Sequence, residues 1–189
     1  MSKLRSLTDN EDNFLKVFSH NTAGGVFPSK ESAERWNPDN PEDDLYSILN
    51  ELVDYKNANG EYHLKVCYPG VLGVNGKSCN EWIQTSNPVT YWRINGFKAI
   101  GQLAFEYNGY GQSWGGLALS LNRYRDNLMD DSPEKFAYWG SIGATIYYPK
   151  GSQTIAGPPS IPVSKVQLSV STKVGMIDGR VIKNQLNLS

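Results

Sequence analysis

Apolar and polar positions alternate along most of this chain, and the period is predominantly two. Phe14-Leu15-Lys16-Val17-Phe18 predicts a first strand, closed by the turn-forming run Asn21-Thr22-Ala23-Gly24-Gly25. Tyr62-His63-Leu64-Lys65-Val66-Cys67-Tyr68 alternates strictly and breaks at Pro69-Gly70. Residues 89–94 run into Asn95-Gly96, the strongest short hairpin pattern in the chain, and residues 97–107 answer them. Residues 114–121, 137–148 and 163–170 complete the strand set, with an irregular connection rich in Gly and Pro between 148 and 159.

Two segments have helical spacing instead. Ser29 caps a short helix over 30–36, which Asn37-Pro38-Asp39-Asn40-Pro41 stops. Asn40 then caps an amphipathic helix near residues 41–56. Pro41 takes the first helical position, Glu42, Asp43 and Asp44 complement the helix dipole, and Leu45, Ile48, Leu49, Leu52 and Val53 form one apolar stripe. Seven to nine short strands with turns every 8–12 residues predict an all-β fold. The expected form is an antiparallel β-sandwich of jelly-roll or lectin-like type, with that one helix docked on it. The expected organisation is a polar arm over 1–13, the sandwich over 14–171, and an extension over 172–189 that either adds one strand between 176 and 182 or forms a partly ordered tail.

Composition supports a turn-rich β-domain. Eighteen Gly and ten Pro make up about 15 per cent of the 189 residues, against about 12 in an average protein. Net charge is −1 and no basic stripe runs along the sequence, so nucleic acid is not an expected partner. No apolar run reaches the roughly 18 residues of a membrane-spanning helix. Met1-Ser2-Lys3-Leu4-Arg5 begins no apolar leader, and the expectation is an extracellular protein whose leader has been removed.

The two cysteines, Cys67 and Cys79, lie twelve positions apart in a turn-dense segment flanked by β-rich runs. That spacing predicts a disulfide across a loop between strands. The competing readings are free buried thiols or a reactive thiol. Zinc needs more ligands than these cysteines with His20 and His63 supply, and no nucleophile–base or paired-carboxylate motif stands out. The protein is therefore expected not to be an enzyme, with hydrolysis the weakest alternative. Asn127, Asp130 and Asp131 form the best calcium candidate, since hard oxygen ligands converge in one loop. Their simpler reading is a turn that caps a helical turn at Pro133. No other cofactor is expected.

The aromatic content offers a binding chemistry. Tyr110, Gln112 and Trp114 sit in or beside turns, where rings can stack on sugar C–H faces while amides read hydroxyls. Each Trp also has an ordinary place in a core. Asn80 and Gln84, with Glu81, Ser86 and Asn87, form a polar constellation beside the cysteines. It reads either as a recognition edge or as side chains that satisfy loop backbone. Asn187-Leu188-Ser189 is the one glycosylation sequon.

Several runs carry a family resemblance. They are Phe14-Leu15-Lys16-Val17-Phe18-Ser19-His20, Leu64-Lys65-Val66-Cys67-Tyr68-Pro69, Cys79-Asn80-Glu81-Trp82-Ile83-Gln84-Thr85-Ser86-Asn87-Pro88, Ser113-Trp114-Gly115-Gly116-Leu117 and Tyr138-Trp139-Gly140-Ser141-Ile142-Gly143-Ala144. Together the chain resembles an extracellular β-sandwich module of secreted and matrix proteins of corals, anemones and other aquatic animals. The resemblance implies a lectin-type or matrix-type building block and brings no catalytic positions with it. The expected function is non-enzymatic recognition of glycan or an extracellular-matrix component, in adhesion. The alternatives are a structural protein that self-assembles as a homo-oligomer and a carrier of a small apolar ligand or pigment.

Overall fold

A computed structural model describes residues 13–25, 27–28, 30–89, 95–105, 145–147, 153–156, 162–172, 176–177 and 180–181. In chain order the elements are β1 (Phe14–Asn21), a 3₁₀ turn (Thr22–Gly24), α1 (Lys30–Glu34), β2 (Leu45–Ser47), a longer 3₁₀ segment (Leu49–Tyr55), β3 (Tyr62–Cys67) and β4 (Cys79–Gln84). There follow β5 (Lys98–Ala99), β6 (Thr145–Tyr147), β7 (Gln153–Ala156), β8 (Pro162–Val163), β9 (Lys165–Ser171), β10 (Met176–Ile177) and β11 (Arg180–Val181).

Among the described residues the structure is mostly antiparallel sheet with few helices, as the period-two pattern predicts. The principal sheet has six strands in the order β2-β1-β9-β3-β4-β5. A three-stranded sheet, β6-β7-β8, and the β10–β11 hairpin accompany it. Within the segment expected to add a strand, Met176–Ile177 pairs with Arg180–Val181.

β9 is the axis of the large sheet. It pairs with β1 on one side and β3 on the other, so the two ends of the described chain meet in one ladder. Its alternation sends Val166, Leu168 and Val170 into the core and leaves Lys165, Gln167 and Ser169 half-exposed on the other face. β3 and β4 repeat this with Leu64, Val66 and Trp82 inside. Between Lys16 and Phe18 the β1 register slips, which leaves Val17 as an extra residue. That bulge allows Val17 and Phe18, adjacent in sequence, to be buried together.

The amphipathic helix expected near 41–56 does not form. Leu45–Ser47 instead pairs with β1, and all three residues are buried. Asn37 adopts a positive φ, and its side-chain amide donates to Asp43. Asp44 accepts from the Asn21 side chain, and Glu42 meets Lys16 at 3.2 Å. The acids expected to complement a helix dipole thus serve the turn and the sheet edge.

The helical stripe is also re-phased. At three residues per turn, Leu49, Leu52 and Tyr55 line up on the core, while Val53 turns outward and is 56% exposed. This 3₁₀ segment packs on β1 and β9 and covers the inner face of the sheet together with Phe27 and α1. Among the described residues, no helix is long and apolar enough to cross a membrane.

Candidate functional site

The expected staple is present. Cys67 and Cys79 face one another in the β3–β4 register and form a disulfide, with Cα atoms 4.1 Å apart. Neighbouring Tyr68 donates its backbone N–H to Ser78, so the cysteines occupy the close, non-hydrogen-bonded position of an antiparallel ladder. The staple joins the ends of a tight loop over 68–78. Within it, Val71 N–H donates to Tyr68, Gly76 to Gly73, and Gly73 to Lys77.

A second clamp holds the loop from the side. Val74 N–H donates to the Ala104 carbonyl, and the Asn75 amide donates to Gln102. Gly73 approaches residue 104 so closely that any Cβ there would overlap the Ala104 carbonyl. Leu72 and Val74, on either side of this glycine, are 72% and 75% exposed. The loop is therefore a braced platform that presents two aliphatic side chains to solvent.

Asn80 and Gln84 lie directly behind it, and both are buried. The Asn80 side chain donates to the Phe105 carbonyl at 2.7 Å and accepts from the Phe105 N–H at 3.0 Å, mimicking one rung of a sheet. Gln84 accepts from the Trp82 indole at 2.7 Å and donates to the Ser86 carbonyl at 2.9 Å. Asn80 and Gln84, expected either at a recognition edge or as partners of loop backbone, are here buried and hydrogen-bonded to neighbouring groups. Each meets the hydrogen-bonding need of a buried neighbour, because an unpaired amide or indole in that interior costs free energy.

The outer face of the sheet carries a different set of groups. His63 Nε2 lies 2.5 Å from Glu81 Oε1, with side-chain exposures of 21% and 32%. The Phe14 ring meets the His63 ring edge-on at 5.1 Å, reaching across small Ser171 on the intervening strand. Lys65 Nζ lies 4.3 Å from the centre of the same Phe14 ring. Ser169 stands between Lys16 and Lys65 in register, and Lys65 stands opposite Glu81. Toward β2 this face closes over, since Tyr46 and Ser19 are buried.

No protein-family model, curated protein or solved structure matches the chain. The site is therefore read from its own chemistry. A histidine–carboxylate pair can hold or pass a proton, and lysines with serine hydroxyls and an amide can bind a polar or anionic surface.

The remaining expected positions divide in two. Tyr110, Gln112 and Trp114, and the calcium candidates Asn127, Asp130 and Asp131, lie outside the described residues. Among the described residues, no three His, Cys, Asp or Glu side chains gather as a metal site. His20 is buried, with Nε2 3.0 Å from the Gly25 carbonyl and its ring edge-on to Phe27. The outer-face cluster was half legible in the sequence: alternation puts His63 and Lys65 on one side of β3. Their neighbours Phe14 and Glu81 come from other strands and follow from the register alone.

Proposed function

We propose that this protein is a non-enzymatic extracellular recognition module that binds glycan or an extracellular-matrix component and acts in adhesion. One observation carries the reading. A disulfide-braced sheet keeps one face in the core and turns toward solvent a face of hydroxyl, amide, imidazole and ammonium groups. Such a surface binds by many polar contacts on a rigid support, which keeps the ordering cost of association low. The disulfide favours an oxidising compartment. Under this reading the six-stranded sheet is one half of a sandwich, the chain is kin to the matrix modules it resembles, Tyr110 and Trp114 supply the aromatic part of a glycan site, and the Gln112 amide reads hydroxyls beside them.

The test is an array of neutral and acidic glycans together with immobilised matrix proteins. Binding is expected, with Trp114→Ala lowering affinity about tenfold, the worth of one buried stacking contact. Absence of binding to every glycan and every matrix protein overturns the reading.

A second reading, self-assembly, is favoured by the exposed pair Leu72 and Val74 on the braced loop. An apolar tip held rigid is a ready contact for another molecule of the same kind. Light scattering that reports only monomer at high concentration removes it.

A further inference from the structure

The outer face of the large sheet has a charge character that the chain as a whole lacks. Lys16 on β1, Lys65 on β3, Lys98 on β5 and Lys165 on β9 all belong to the face opposite the core. The register relates them: Lys16 and Lys65 flank Ser169, Lys98 stands opposite Ile83, which stands opposite His63, and Lys165 stands opposite Asn21. With strands about 4.8 Å apart, the Lys16 and Lys65 backbones are about 10 Å apart.

Among the described residues, three acids reach toward this cluster, one of them Asp44, which accepts from Asn21 opposite Lys165. Glu81 is taken up by His63, and Glu42 reaches in from the turn before β2 to meet Lys16. Every other described carboxylate falls between residues 31 and 61. Among the described residues, the carboxylates are thus concentrated in the segment over 31–61, while the outer face of the sheet carries four lysines.

We propose that this face is the docking surface for an acidic polysaccharide, one bearing sulfate or carboxylate groups. The proposal rests on the recognition reading above and names the chemical class of its ligand. Ammonium groups spaced across a sheet meet repeated anionic groups along a chain. Ser169 and Gln167, lying between the lysines on β9, exchange hydrogen bonds with sugar hydroxyls.

Two competing occupants fit the same surface less well. Single-stranded nucleic acid calls for a free ring face on which bases stack, but the Phe14 ring already packs edge-on with His63 and lies beneath the Lys65 ammonium. The acidic segment of a second copy offers carboxylates yet no hydroxyls for Ser169 and Gln167, and its Glu42 is already used within the chain.

The experiment measures binding of the full chain to immobilised heparin and chondroitin sulfate, with neutral dextran and duplex DNA as comparators, from about 0.05 to 0.5 M salt. Lys65→Gln/Lys98→Gln/Lys165→Gln removes charge from the face. Lys30→Gln/Arg35→Gln/Lys56→Gln removes the same charge from the acidic segment. Circular dichroism checks that both variants fold. Expected are retention on the sulfated glycans, loss of retention as salt rises, and affinity about tenfold or more lower in the face variant. The control variant should stay within about twofold of the parent.

Equal behaviour of the two variants overturns the proposal. So does equal or tighter binding to DNA, or a salt-sensitive self-association lost in the face variant in place of glycan binding. Binding to neutral glycans or matrix proteins without the acidic ones overturns this inference and leaves the recognition reading intact. Binding to none of these probes overturns both.

Discussion

Two buried side chains set the sharpest expectations at the scale of single residues. The Tyr68 ring is buried against Phe105, edge-on at 5.8 Å, and its hydroxyl has no hydrogen-bond partner among the described residues. Burial pushes its ionisation far above the ordinary tyrosine range. Tyr62 shifts the same way, chiefly through burial, against the opposing hydrogen bond from Asn87. In the unfolded chain both phenols ionise near pH 10, whereas the folded chain keeps them neutral. Above that pH the unfolded state holds fewer protons than the folded one, so stability is intact below pH 10 and falls beyond it. One such group contributes a slope of about 1.4 kcal/mol per pH unit. Urea midpoints between pH 8 and 11 should show the fall, and Tyr68→Phe should make it shallower. At pH 7 the same substitution removes a polar atom that bonds to nothing described, so stability should hold or rise by up to about 1 kcal/mol. Asn80→Ala should behave in the opposite way. It orphans the N–H and C=O of Phe105 together, and the expected loss of about 2–4 kcal/mol is read from the denaturant midpoint.

At the scale of elements, the β3–β4 hairpin depends on two separate restraints. Reducing the Cys67–Cys79 bond frees a loop of about a dozen residues, which costs roughly 2–3 kcal/mol in the chain-entropy picture. Thermal melts with and without a dithiol reductant measure it. Gly73→Ala attacks the other restraint by driving a methyl group into the Ala104 carbonyl. Proteolytic nicking within 70–77 should then appear while the disulfide stays closed. β4, the strand that carries half of this hairpin, was the least legible element in the sequence. Its buried positions are Asn80, Trp82 and Gln84, so two of the three inward side chains are polar and the alternation reads as a loop. Only the Phe105 and Trp82 partners reveal why amides belong there. The segment over 41–56 misled for the converse reason. Its local signals for a helix are strong, but pairing with β1 and burial of Leu45–Ser47 outweigh them. β3 and β9 could be read directly because their inward side chains are Tyr62, Leu64 and Val66 in the one and Val166, Leu168 and Val170 in the other. The lysines of the outer face are scattered over 16, 65, 98 and 165, so no sequence window could show them as a group.

The whole molecule is organised around strand β9, which is late in the sequence yet central in the sheet. It supplies the ladders of both β1 and β3, and Thr172 extends the pairing with an N–H bond to the Asn13 carbonyl. The contact between residues 14 and 171 therefore closes a loop of nearly the whole chain, whose entropy must be met before the sheet is complete. Two consequences follow from this topology. Folding should be slow for a domain of this size, because the central ladder is made of contacts remote in sequence. Moreover, the sheet cannot be completed from its earlier strands alone. A chain ended at residue 164 leaves the inner edges of β1 and β3 unpaired and removes Val166, Leu168 and Val170 from the core. It should be unfolded or aggregated, with no cooperative thermal transition in circular dichroism. A chain ended at residue 172 keeps every strand of the six-stranded order and, of the described elements, loses β10 and β11, which pair with each other. It should melt cooperatively, within a few degrees of the full chain. If the shorter chain also melts cooperatively, β9 is not the axis of the sheet, and the outer face, with its lysines held in register by that strand, loses its structural basis.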